Sequence, residues 1–509
     1  MHHALLVSDV RLYIFAYVDQ IRSTGKRSLS RTSLASLAVT CKAFHEPAMD
    51  LLWAEVDRLQ PLLGCVTRLH PLIYPRSRML WDDTWTEGIE PLSADEIHQF
   101  LRHSARIRSL SMPSESTDRL FPLLSLITQT CVFPRLESLT IFTTTHLGLF
   151  LSDKLRHCSV FDVDVEPPQS PTVHGVASDL EDLSDDGVDL EELSDDGVDE
   201  DLFDERILDQ LSVLSSRIRS CKQLVTLSCP PLDWAAWKHL SNLPTLMEVG
   251  IREVREFGVP LWPLDWHIAN FTPFFNLTVL SFTVYNPEYV TTILRHSQFP
   301  SLKRFWIMVA APTATEANQL FRALSHYKQT LEQLTVIMSS YNHDFQNKYL
   351  TITHFFCFTQ LRLLHLDCIE SRIYLDNNLL LEAMSAWPHI EFFKIEDFGG
   401  NSSVTFRGLF TALSQCPQLE SLRLSIDTMN IDINLHAEPI PNTTLRALDL
   451  ETSEFHIENA EVLARIIFTW FPCVDQVSKI PDTDSGPWDE VNMRLISLRA
   501  GARRIIGGP

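Results

Sequence analysis

The sequence predicts an α/β solenoid, with short parallel strands alternating with helices behind a small N-terminal helical module. Three observations carry this expectation. A hexapeptide of the form Leu-x-x-Leu-x-Leu returns at a nearly constant period, helix-spaced apolar residues lie between its copies, and residues 5–63 stand outside the period.

In the N-terminal module, Leu12, Ile14, Phe15 and Val18 have the spacing of one buried helical face, with Ser8 placed to cap it. The polar stretch Arg22–Ser28 reads as a loop. A second helix carries Leu34, Leu37, Ala38 and Cys41, and a third carries Phe44, Met49, Leu52 and Trp53. A three-helix core of this size needs support from a partner or from the adjoining units. The pattern resembles the F-box motif. Leu5, Asp9, Ile14-Phe15, Val18, Leu34, Leu37, Val39-x-Cys41-Lys42-x-Phe44 and Leu52-Trp53 match the order of that family, and Leu6 stands where the family has Pro. The stretch from Cys41 to Ala48, followed by Leu51-Leu52-Trp53, looks like the F-box/repeat proteins abundant in mushroom-forming fungi. The resemblance implies docking on a Skp-type adaptor bound to a cullin scaffold. The matching residues are Leu5, Asp9, Ile14, Phe15, Leu37, Cys41, Lys42 and Phe44; spacing leaves open which of them face the adaptor and which the core.

The hexapeptides begin at Ile107, Leu136 and, in degenerate form, Leu155. After a gap they resume at Leu224, Leu246, Leu277, Leu302, Leu331, Leu361, Ile390, Leu419 and Leu445, and a weak copy at Val474 closes the series. The spacings from Leu302 to Leu419 are 29, 30, 29 and 29 residues, a regularity that an ordinary α/β domain does not require. Positions four and six are apolar around a variable residue, a period of two, so each hexapeptide is a short strand. Between strands, Leu320, Phe321 and Leu324 share a helix face behind Thr313 and Glu316, which have the spacing of a capping box. Leu379, Leu380, Ala383 and Met384 repeat the helical spacing, as do Val462, Leu463, Ile466 and Ile467. A strand-plus-helix unit cannot bury its own apolar face, so stacking has to supply the core. From about Ser93 to Val477 the chain resembles the leucine-rich-repeat superfamily in its longer, irregular intracellular form. That resemblance implies a horseshoe with parallel concave strands and convex helices. An Asn after the last Leu is mostly missing, which favours the ribonuclease-inhibitor-like or F-box-associated type. The expected divisions are 1–63 for the helical module, 64–160 for the first repeats, 161–205 for an acidic insertion, 206–480 for the main array and 481–509 for a tail.

Lys and Arg number 42 against 65 Asp and Glu, a formal net charge of −23, which argues against a nucleic-acid partner or a polybasic membrane surface. Much of the excess is local: 15 acidic residues lie between Asp179 and Glu205. Leu-Ser-Asp-Asp-Gly-Val-Asp occurs there twice, but neither copy supplies the Glu that an EF-hand needs at its twelfth position, so the insertion reads as a disordered, self-repelling loop ended by a helix from about Asp204. No signal peptide or membrane span is expected, and the ten cysteines form no C-x-x-C pair, which points to the cytoplasm or nucleus. Phosphate-cradling glycine loops, H-E-x-x-H and zinc-spaced Cys/His clusters are missing from the sequence, so the expectation is a non-catalytic chain with no metal or cofactor. The resemblance implies the substrate receptor of an SCF-type ubiquitin ligase; the alternative is an F-box-like scaffold that binds partners without ubiquitination.

A protein target should meet the strand residues that point away from the core. These are Arg304, Trp306, Met308, Gln333, His365, Phe392, Lys394 and Arg423, with Asp367, Glu396, Asp449 and Glu451 on the same side. Trp306 and Phe392 stand out, because large aromatics on an open strand face are typical of binding hot spots.

Overall fold

The structure, a computed structural model, describes residues 27–74, 89–112, 132–142, 147–161, 200–253, 271–310, 312–339, 349–368, 372–397, 403–428, 431–433, 441–451, 459–477 and 488–506, together with residues 7, 10, 13–15, 17, 123, 126 and 127. The doubled acidic motif, Leu5 and Asp9 lie outside the described residues. The chain forms two compact units, one of residues 1–223 with 229–236, the other of residues 224–228 with 237–509.

In the first unit, Val10, Tyr13–Phe15 and Tyr17 are helical and are followed by helices Arg27–Thr40 and Lys42–Leu52. The middle helix starts inside the stretch expected to be a loop. Cys41 separates the last two helices by going extended (φ −160°, ψ 158°). Phe15, Leu34, Ala38, Phe44 and Ala48 form the module's core. Strands β1 (Glu55–Val56), β2 (Ser109–Ser111), β3 (Ser138–Ile141) and β4 (His157–Val160) then pair in parallel and in chain order. Arg106, just before β2, ties this sheet to the module: its guanidinium reaches the carboxylates of Glu46 and Asp50. The helix Glu200–Ile218 begins inside the stretch 161–205 expected to be an acidic insertion, four residues before the expected helix start.

The second unit continues the same grammar. Its strands are β5 (Thr226–Cys229, whose last residue belongs to the first unit), β6 (Glu248–Arg252), β7 (Val279–Val284), β8 (Arg304–Ala310) and β9 (Gln333–Ser339). They continue as β11 (Leu363–Cys368), β13 (Phe392–Asp397), β14 (Ser421–Ser425) and β15 (Ala447–Glu451), all parallel and in chain order. A minor parallel pair, β10 (Tyr349–Thr351) with β12 (Arg372–Tyr374), stands apart from them. From Leu302 to Leu450, hexapeptide positions one, four and six are at most 4% exposed. Burying Leu or Phe side chains of this kind contributes about 1.5–3 kcal/mol each, which is why the period is kept.

The sequence also explains how most of these strands are launched. The residue three before the first Leu turns the chain, its carbonyl accepting the N–H of that Leu: Phe299 to Leu302 at 3.2 Å, Trp387 to Ile390 at 3.1 Å, Cys416 to Leu419 at 3.2 Å. Pro300, Pro388 and Pro417 occupy the second position of these turns, where a fixed φ near −65° is already the required value. The turn residue itself drops into the core, so Phe274 packs on Phe299 (4.9 Å) and Phe299 on Tyr327 (5.5 Å). The Tyr327 hydroxyl faces the carbonyls of Leu294 (2.9 Å) and Ser297 (2.8 Å) at the end of the helix Pro287–His296.

Helices lie between most strands. Ala314–Leu324 has the expected capping box, Thr313 with Glu316, and buries Leu320, Phe321 and Leu324. Asn377–Ala386 buries Leu380, Ala383 and Met384, and Ala460–Trp470 buries Leu463, Ile466 and Ile467. Three positions in this unit depart from the pattern. Between β9 and β11 a single 3-10 turn, Ile352–Phe355, takes the helix's place, and among the described residues no helix lies between β6 and β7 or between β14 and β15. After β15, Val477 forms one more parallel bridge, to Leu448. The expected tail holds the helix Asp489–Ile506, whose Asn492 binds both the N–H and the C=O of Val477 at 2.8 Å.

Candidate functional site

Two surfaces carry the residues singled out in the sequence. On the helical module, Phe15 and Phe44 are buried and meet edge to face with ring centroids 5.9 Å apart, so they build the core and present no surface. Ile14, Leu37 and Cys41 are half-buried, and Lys42 is exposed. The exposed apolar groups are others: Tyr13, Tyr17 and Val39 are 79%, 67% and 85% exposed. The signal for the tyrosines was in the sequence. Four residues apart, they share one helix face, and Tyr13 lies about 200° around the axis from Phe15. The Arg106 hydrogen bond, and then its charge, hold the Glu46 carboxyl below its usual range, so this contact is ionic in neutral solution.

On the second unit, strand register gathers the outward side chains into rows. Trp306, Thr335, His365, Lys394, Arg423 and Asp449 are successive register partners. The next row runs Met308, Ile337, Asp367, Glu396, and the preceding one Arg304, Gln333, Leu363, Phe392. Phe392 is 41% exposed, Arg304 is exposed, and Trp306, Met308, Gln333, His365, Lys394 and Arg423 are partly exposed. All eight residues expected to meet a target therefore lie on the open face.

Spacing alone did not show that the charged members are wired together through Glu396. Its carboxylate receives Lys394 Nζ at 2.7 Å, Arg423 Nη1 at 2.6 Å and His365 Nε2 at 3.3 Å, and Arg423 Nε also reaches Asp449 at 3.2 Å. Burial would raise the Glu396 pKa, but the hydrogen bond from Lys394, the Arg423 charge and the His365 contact outweigh it and hold the group below its usual range. Burial, and then the neighbouring Lys394 charge, push His365 down, so its imidazole is neutral at neutral pH and Nε2–H donates to Glu396. Asp367 goes the other way: burial and the adjacent Glu396 charge push its carboxyl up.

His365, Asp367 and Glu396 form the one trio of metal-ligating side chains found among the described residues, with ligand atoms within 4.8 Å of one another. Lys394 and Arg423 already lie on Glu396, and a divalent ion would sit against both, which disfavours a metal there. A cavity of about 680 Å³ opens elsewhere in this unit, where Phe410 stacks on Trp470 at 3.9 Å. Its walls include Ile433 and Pro441, which flank residues 434–440, outside the described residues. Among the described residues no helix is long and apolar enough to cross a membrane. No family model matches the chain, and no curated protein matches it.

Proposed function

We propose that the chain is a non-catalytic substrate receptor of an SCF-type ubiquitin ligase, joining an F-box module to a leucine-rich-repeat target surface. The observation that carries the reading is the coincidence of the hexapeptides from Ile107 to Leu445 with parallel strands in chain order, one face buried and the other open. The F-box-like residue order of the module adds to it. The module's core of Phe15, Leu34, Ala38, Phe44 and Ala48 is small, and Tyr13, Tyr17 and Val39 leave apolar surface uncovered beside it, as a docking element requires.

Co-purification of the full chain with a Skp-type adaptor tests the reading. Tyr17→Ala with Val39→Ser changes exposed side chains only, so adaptor capture should fall while thermal unfolding stays in place. If the wild-type chain captures no adaptor, the receptor reading fails. The scaffold alternative is favoured if capture succeeds but a reconstituted ligase containing the chain transfers no ubiquitin to proteins bound on the repeat surface.

A further inference from the structure

We propose that the open face of the second unit binds an extended segment of its protein target, seating an apolar side chain between Met308 and Ile337 and a lysine or arginine on Asp367. This deepens the target-surface reading and rests on it. Trp306, Met308 and Ile337 lie on neighbouring strands and remain partly exposed, a compact apolar patch in an otherwise polar row. One strand further on the face changes character. Asp367, Glu396 and Asp449 present three carboxylates, and the nearby side-chain cations are Lys394 and Arg423, His365 being neutral. Both cations serve Glu396, whereas Asp367 has no Lys or Arg ion pair among the described residues and shares a hydrogen bond with the Glu396 carboxyl instead.

Asp367 is thus a half-buried acid next to another acid, with no lysine or arginine of its own. A cationic side chain placed there would offset the repulsion from Glu396, whereas an acidic segment would meet it. The distances suit an extended chain. From the midpoint between the register partners Met308 and Ile337 to Asp367 is one and a half strand spacings, about 7 Å, and two residues of an extended segment advance about 6.6 Å. Residues two apart point to the same side, so the motif is apolar-x-Lys/Arg.

Phage-displayed random dodecapeptides selected on the intact chain, with counter-selection on Asp367→Asn, test this. Recovered sequences should share an apolar residue two positions from a Lys or Arg. A synthetic peptide from the pool should lose at least tenfold in affinity on Asp367→Asn and on Trp306→Ala, and should weaken with added salt. Asp367→Asn nearly preserves shape, and an unchanged thermal unfolding curve confirms that the variant is folded. Recovered peptides without a basic residue, equal binding to Asp367→Asn, or no enrichment at all would each overturn the proposal. Peptides that depend on Trp306 but not on Asp367 would leave the target surface standing and remove the cation slot. Peptides indifferent to both would remove the target surface as well.

Discussion

Tyr327→Phe isolates one hydroxyl that closes a helix. The last carbonyls of a helix have no partner within it, and at the end of Pro287–His296 the Tyr327 hydroxyl lies 2.9 Å from Leu294 O and 2.8 Å from Ser297 O. One hydroxyl proton serves both carbonyls, and the ring is 8% exposed, so water does not readily replace it. Phe keeps the ring against Phe299 and removes only the donor. The lost hydrogen bond and the stranded carbonyls should cost about 1–3 kcal/mol. Ser297→Ala is the matched control. Its Oγ is buried with no hydrogen-bond partner among the described residues, so removing it should be neutral or stabilising. Denaturant unfolding of the full chain, with hydrogen exchange of the 287–296 amides, reads both variants. If Tyr327→Phe stays within about 0.5 kcal/mol of wild type, or Ser297→Ala costs more than it does, the hydrogen-bond reasoning is wrong.

Gly408→Ala should destabilise by about 1–3 kcal/mol, because a Cβ there would lie 1.9 Å from Asn377 Oδ1, which accepts the N–H of Thr405, the N-cap of Gly408's helix Phe406–Leu413; thermal unfolding measures it. Asn492→Ala should cost about 1 kcal/mol by stripping both partners from Val477, seen as faster amide exchange at Val477. Stability should also fall in alkali. Burial pushes the thiols of Cys221 and Cys416 up to about 12 from the ordinary 9.0. The folded chain therefore holds these protons after the unfolded chain has released them. Their contribution is complete below pH 9 and is lost as pH rises towards 12, so denaturation midpoints should drop across that window and recover part of the loss in Cys416→Ala. Midpoints flat from pH 8 to 11 would contradict the burial of these thiols.

Much of the sheet was legible because its signal is local. Leu302, Phe305 and Ile307 announce a strand within six residues, and every strand from β2 to β9 follows such a hexapeptide. The elements that escaped have no such signature. β1 is only Glu55–Val56, and the β10–β12 pair joins segments of no regular spacing. The helix Asp489–Ile506 starts behind a polar stretch and interleaves arginines with its apolar residues, which hid it in a presumed tail. The open face was readable residue by residue, since side chains alternate along a strand. Its wiring was not. Glu396 meets His365 and Arg423 across register steps of about 30 residues, and nothing in a single strand shows which charge its neighbour will supply. The module divided differently: the apolar spacing picked out the buried Phe15, while the exposed Tyr13 and Tyr17, two positions to either side and so on the opposite face, were legible but went unread.

The strictly sequential strand order of the second unit also governs how it should assemble and fail. Every register pair in its main sheet joins residues about one period apart, such as Arg304 with Gln333 and Leu363 with Phe392, so no contact waits on a distant part of the chain. Loop closure then costs nearly the same at each step, and folding can nucleate at any well-packed neighbouring pair and spread in either direction. Damage should stay local. A substitution under one strand loosens its two neighbours and fades beyond them, so an open-face residue on β8 can be altered without disturbing one on β14. Such a surface can change its side chains strand by strand while its stability is set elsewhere.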